Sequence, residues 1–104
     1  MVLEVAHLEI STTDQPAFEA AFAEASQHIS TVEGYIHHEL HIGVEEPERY
    51  LLLVHWETLE AHTVTFRESP AYEHWRKLIH PYFAAKPIVT HYALTYSHSE
   101  RDSE

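Results

Sequence analysis

Residues 35–57, YIHHELHIGVEEPERYLLLVHWE, contain two strand-like runs around a polar turn. In the first, Ile36, His38, Leu40 and Ile42 fall on one side and Tyr35, His37, Glu39 and His41 on the other, the period of two expected of a β-strand. The second, YLLLVHWE, is strongly apolar on both sides and reads as a further strand. VEEPER is only a few residues of polar turn between them, so the two runs form a hairpin.

Elements on either side of the hairpin follow the same logic. Residues 2–10 alternate, with Val2, Glu4, Ala6, Leu8 and Ile10 on one face and Leu3, Val5, His7 and Glu9 on the other, which predicts a first strand. STTDQP supplies capping hydroxyls and a first-turn proline. Phe18, Ala21, Phe22, Ala25, Ile29 and Val32 then recur every three or four residues as one apolar helical stripe. Gly34 is expected to close that helix as a C-cap. Beyond the hairpin, Thr58 can cap a helical segment in which Leu59, His62 and Phe66 share a face. Ser69 and Pro70 break that segment and restart it, with Tyr72, Trp75, Leu78 and Ile79 as the new stripe. Pro81 and Pro87 bracket an irregular stretch containing Tyr82 and Phe83, and IVTHYALTY, 88–96, predicts a fourth strand.

The order strand, helix, strand, strand, broken helix, strand is the split βαβ arrangement. It predicts a ferredoxin-like α+β fold, a four-stranded antiparallel sheet with helices on one face. A chain of 104 residues has room for one hydrophobic core. A single domain over 1–97 with a polar tail at 98–104 is therefore expected. The uncovered sheet face carries apolar residues on the first and third strands, which predicts a second copy packed against it.

Composition excludes several classes. Seventeen acidic against six basic residues give a formal charge of -11, the wrong sign for a phosphate backbone, so no nucleic-acid partner is expected. No apolar run approaches the roughly 18 residues of a membrane span, and MVLEVAHLEI lacks the basic start of a secretory signal. With no cysteine there is no disulfide framework, and a cytoplasmic setting is expected. Two glycines, Gly34 and Gly43, cannot build a phosphate-cradling loop, so no nucleotide cofactor is expected.

Eleven histidines direct attention to sites. His37, Glu39 and His41 share one face of a strand and could hold Zn or Fe, but a solvated strand face is the preferred reading and no metal is assigned. Trp56, His62, Phe66, Tyr72, His74, Trp75 and His80 gather flat rings and imidazoles in one stretch. Such a group is either ordinary core or the wall of a pocket for a planar ligand, where a histidine could take a proton near neutral pH. His7 and His91, on the first and fourth strands, are further candidates for contact with a ligand if their strands turn them inward.

The run HWETLEAHTVTFRESPAYEHWRKLIHPYF, 55–83, followed by THYALTY, resembles the antibiotic biosynthesis monooxygenase family of dimeric α/β barrels. The features carrying the resemblance are Trp56 at the end of the third strand, His62 in the next helix, and Ser69-Pro70 before Tyr72. The resemblance implies a homodimer with one pocket per subunit, and a monooxygenase that uses molecular oxygen on a small aromatic quinol or anthrone-like substrate without a cofactor. It also implies Trp56, His62 and Tyr72 as catalytic candidates, with His62 the provisional base and Tyr72 an orienting donor. Phe66, Trp75, His7 and His91 are the substrate-binding candidates. Family members that degrade haem use a first-strand asparagine, and this chain contains no asparagine, which argues against that branch. A non-enzymatic ligand-binding or stress-related dimer is the alternative class.

Overall fold

A computed structural model describes residues 1–100; the end of the expected polar tail, 101–104, lies outside the described residues. The strands are β1 (Val2–Glu9), β2 (Tyr35–Ile42), β3 (Arg49–Trp56) and β4 (Ile88–Tyr92), and the two α-helices are α1 (Gln15–Ile29) and α2 (Pro70–Ile79). A π-helical turn, Ala61–Phe66, precedes α2, and a short 3-10 turn, His80–Tyr82, follows it. The sheet order is β2-β3-β1-β4 with every neighbouring pair antiparallel, which is the expected ferredoxin-like α+β arrangement. No helix among the described residues is long and apolar enough to cross a membrane.

Alternation along the strands sorts the side chains. Ala6, Leu8 and Ile10 of the first strand and its extension, with Tyr50, Leu52, Val54 and Trp56 of β3, are buried beneath the helices. The α1 stripe meets them with Phe18, Phe22, Ala25 and Ile29, and α2 adds Trp75 and Ile79. Phe18, Ile29, Val54 and Trp56 are each 1% exposed or less, so this side of the sheet is the core. On the opposite side Leu3, Val5, Leu51 and Leu53 are only half-buried, and Ile88 and Tyr92 are exposed.

Three local expectations are corrected. Helix α1 ends at Ile29 rather than at Gly34: Thr31 Oγ1 donates to the His28 carbonyl at 2.7 Å and Ser30 Oγ to the Gln27 carbonyl at 3.3 Å, so polar side chains take up the terminal carbonyls. Gly34 instead serves the turn into β2, with φ +92, and a Cβ there would lie 2.5 Å from the Ala61 Cβ. It is needed for a left-handed backbone and for close approach of the π-turn. Tyr35 lies on the helix side with His38, because a bulge between Tyr35 and His37 breaks the simple alternation. Strand β4 stops at Tyr92, paired with Leu3, and does not run to residue 96. Among the described residues, none beyond Tyr92 pairs with β1.

The break at Ser69-Pro70 is where the sequence places it. Ser69 Oγ accepts from the Tyr72 backbone N–H at 3.2 Å and donates to the Phe66 carbonyl at 2.7 Å, closing one helical segment and opening the next. Thr58 Oγ1 likewise accepts from the Ala61 N–H at 3.1 Å. The turn between them is wide, with Arg67 N–H reaching the His62 carbonyl at 3.3 Å. A π-turn of this kind frequently occurs at a functional site.

Candidate active site

The helices do not close fully over the sheet. A half-open cavity of about 530 Å³ remains between β1, β4, the π-turn and α2. Glu4, Ala6, Leu8 and Leu52 contribute from the sheet, and His62, Phe66, Tyr72, Trp75 and Ile79 from the helical side. Arg67, His80, Phe83, Lys86 and Val89 lie among the remaining lining residues. Its volume is that of a site for a small molecule of a few rings.

Glu4 and His62 are the only two buried residues with charged or strongly polar side chains among those described, 6% and 2% exposed. Glu4 occupies the apolar row of β1, one step from Ala6, directly across from Val54 and His91. Trp56 fixes it, donating its indole N–H to Glu4 Oε1 at 3.0 Å. The same indole stacks against the His62 ring, with centroids 5.4 Å apart and planes 18° from parallel. His62 Nδ1 shares a proton with His91 Nε2 at 2.8 Å, and its Nε2 lies 3.4 Å from Glu4 Oε1. Every buried side-chain nitrogen or oxygen among the described residues has a hydrogen-bond partner. Glu4 and His62 both line the cavity, side by side.

Burial sets the proton affinities of this group. Removal from water disfavours the carboxylate and raises the Glu4 pKa to about 6, against the smaller lowering influence of the Trp56 N–H and Arg67. Burial also disfavours an imidazolium and, with the nearby Arg67 and His91, lowers His62 to about 3. His91 is lowered by burial and by Arg67. At neutral pH His62 is therefore an uncharged ring. If His91 donates along the 2.8 Å bond, the His62 proton sits on Nε2, facing the Glu4 carboxylate, which is the tautomer that favours the charge on Glu4.

The candidates from the sequence fall into three groups. His62, Tyr72, Phe66 and Trp75 line the cavity together. Phe66 and Tyr72 meet edge to face at 5.2 Å, and Trp75 also packs against Phe22 at 5.4 Å, so it is wall and core at once. Trp56 and His91 stand behind the wall and hold Glu4 and His62. His7 lies on the opposite face of the sheet, paired with Leu51 and Ile88, away from the cavity. Glu4 is the residue that sequence reading passed over. Its signal was present, a lone carboxylate in the row Val2, Ala6, Leu8, Ile10, but its partners come from residues 56, 62 and 91 and are brought together only by the fold.

Two other histidine groups have different settings. His38, half-buried, sits between Ser26 Oγ at 2.8 Å and the Tyr35 hydroxyl at 2.5 Å, while Ser26 Oγ also donates to the Phe22 carbonyl at 2.9 Å. Ser26 has one proton and gives it to that carbonyl, so the set is a strut between α1 and β2 and has no activated hydroxyl. Glu39 bridges His37 and His41 at 3.2 and 2.6 Å on the open face. No group of three or more His, Asp or Glu side chains among the described residues converges as metal ligands.

Comparison with known proteins agrees with this architecture. The sequence profile of the antibiotic biosynthesis monooxygenase family matches residues 1–78. The uncharacterized protein YczJ of Bacillus subtilis is 46% identical over 92 residues, covering 88% of this chain and 97% of that protein. A solved structure from Bordetella bronchiseptica that carries the family name is 35% identical, with a TM-score of 0.87 over 91% of this chain and 97% of that one. SnoaB of Streptomyces nogalater, a cofactor-independent oxygenase, shares the fold at a TM-score of 0.76 and 15% identity, over 95% of this chain and 97% of its own. By matched profile, close relative and fold together, the chain belongs to the antibiotic biosynthesis monooxygenase family.

Proposed function

We propose that this protein is a cofactor-independent monooxygenase of a small aromatic substrate, an anthrone or quinol bound in the cavity beside Glu4 and His62. One observation carries the reading: at the base of an aromatic-walled cavity, a buried carboxylate and a buried imidazole stand 3.4 Å apart. Family membership and the likeness in fold to SnoaB support the class of reaction.

The chemistry for an anthrone-like methylene begins with loss of a C–H proton. The resulting carbanion passes one electron to oxygen, and the substrate radical and superoxide combine to form a C–O bond. The peroxide anion takes the first proton back to become a hydroperoxide, whose remaining C–H proton leaves as its O–O bond breaks, releasing water and leaving a carbonyl. One oxygen atom ends in the product and the other in water. Glu4 accepts the first proton, since its pKa near 6 suits exchange at neutral pH, whereas a ring titrating near 3 is a poor acceptor. His62, the base that the family resemblance nominates, then acts through its Nε2–H on the developing oxyanion. Trp56 positions both, and Tyr72 is the orienting donor on the opposite wall. Phe66 and Trp75 keep the intermediate from water.

The reading also includes a homodimer packed through the open sheet face and a cytoplasmic setting. Oxygen uptake and product analysis with a panel of anthrones and quinols test it. Glu4→Gln and His62→Ala are each expected to slow turnover by about 100-fold or more, with far-ultraviolet circular dichroism unchanged. Turnover at the wild-type rate in both variants, or no oxygen uptake across the panel, would overturn it.

A further inference from the structure

We propose that Arg67 and Lys86 form an anion-recognition subsite at the mouth of the cavity, so that the aromatic ring bound against Glu4 and His62 carries a carboxylate. This rests on the reading of the cavity as an aromatic site and names the substrate class within it.

Both residues line the cavity and both are exposed, whereas Glu4 and His62 are buried, so the cations mark the entrance and the acid–imidazole pair the floor. Both are unpaired among the described residues although carboxylates are plentiful. Acidic residues outnumber basic ones by 17 to 6; Arg49 meets Glu46 at 3.4 Å and Arg76 meets Glu73 at 2.9 Å, while Lys77, also without such a pair among the described residues, does not line the cavity. Neither Arg67 nor Lys86 has a carboxylate within 4.0 Å among the described residues. The Arg67 guanidinium lies 5.7 Å from the centre of the Tyr72 ring, itself a cavity wall. Contact with a ring face steadies a guanidinium while leaving its N–H edge free.

The charge pattern has a direct consequence for binding. An anion approaching a chain of charge -11 meets a repulsive field. At this opening the lining holds two permanent cations against the single carboxylate of Glu4. A guanidinium fork suits a planar carboxylate, which it can bind through two parallel N–H bonds. The acid on the floor disfavours a dianion such as a phosphate more than a monoanion. Charge at the mouth and a proton acceptor at the base also fix which end of the ligand enters, placing the reactive ring position inward.

Binding of three matched, redox-stable probes, 1-hydroxy-2-naphthoate, 1-naphthol and 1-naphthyl phosphate, tests the subsite by titration calorimetry under argon. The wild type is expected to bind the carboxylate about tenfold or more tightly than the naphthol, with the preference shrinking as salt is raised. The phosphate is expected to bind more weakly than the carboxylate. In the Arg67→Gln/Lys86→Gln double variant the preference should fall to about twofold or less, and Arg49→Gln, whose partner is Glu46, should leave it intact. Equal binding of carboxylate and naphthol by the wild type, tighter binding of the phosphate, survival of the preference in the double variant, or no binding of any probe would each overturn the subsite. No turnover enters this experiment. Failure of quinol or anthrone oxidation with the preference present removes the proposed reaction alone.

Discussion

The two faces of the sheet each carry a glutamate with two histidines, and the same ingredients behave oppositely. Under the helices, Glu4 lies beside His62, which in turn bonds His91. On the open face, Glu39 bridges His37 and His41. Burial raises the Glu4 pKa to about 6, while the hydrogen bonds from His41 and His37 hold the exposed Glu39 below its ordinary value. Composition alone therefore says little about chemistry here. A carboxylate with access to water is stabilised as an anion by its neighbours, and one deprived of water becomes a proton acceptor near neutrality. Only the helix-side group opens onto a cavity with aromatic walls.

The sharpest way to break that difference is to remove the residue that maintains the buried side. Trp56→Ala deletes a fully buried ring and the one hydrogen bond to Glu4, and is expected to lower stability by about 3–5 kcal/mol in urea unfolding. His41→Ala, on the exposed row, should cost a small fraction of that. Comparable losses from the two would remove the distinction between the faces.

Next in size is the pH dependence of stability. The folded-state pKa of Glu4 is raised from 4.5 to about 6, so its protonated form favours the fold. That contribution is fully present below about pH 4.5 and is lost as pH rises through 6. It amounts to about 2 kcal/mol, at 1.36 kcal/mol per pKa unit. Measured as wild type minus Glu4→Gln, stability should fall by that amount between pH 4.5 and 6. The difference isolates Glu4 from His62, whose lowered pKa acts in the opposite direction, its contribution being lost as pH falls from 6.5 toward 3. Glu39 likewise runs opposite to Glu4: the wild type should gain over Glu39→Gln as pH rises through the carboxylate range. Matching slopes for Glu4→Gln and Glu39→Gln would show that the fold does not separate the two carboxylates.

Much of this arrangement could be read from local pattern. The hairpin at 35–57 and the strand at 2–10 announce themselves by alternation, and the order of elements follows. The Ser69-Pro70 break is visible because capping and first-turn chemistry act within four residues. The assignment of Tyr35 to the wrong face, and of Gly34 to the helix end, arose where a bulge and a close approach to Ala61 depend on distant segments. Similarly, His62 stood out as an imidazole on an apolar helical face. Glu4 did not, because its meaning comes from contacts 52 to 87 residues away in sequence. His7 and His91 lie on strands that are neighbours of one another, and only the register decides that one faces the helices and the other does not.

The smallest expected effect on the folded chain concerns the open face, where the sheet holds Leu3, Val5, Leu51 and Leu53 half-exposed with Ile88 and Tyr92 beside them. Leu53 is central, on β3, facing away from the core and aligned with Val5 and Glu39 on the flanking strands. A lysine there can extend its ammonium into water, so Leu53→Lys should leave the helical circular dichroism signal unchanged. In a homodimer built through this face the same lysine is buried against the apolar surface of the second copy, where an unpaired charge is strongly disfavoured. Sedimentation velocity should then show a dimer for the wild type and a monomer for Leu53→Lys. A variant that sediments like the wild-type dimer would mean that the copies meet elsewhere. Retention of the cavity-side chemistry in a monomeric variant would show that the helix face functions without its counterpart.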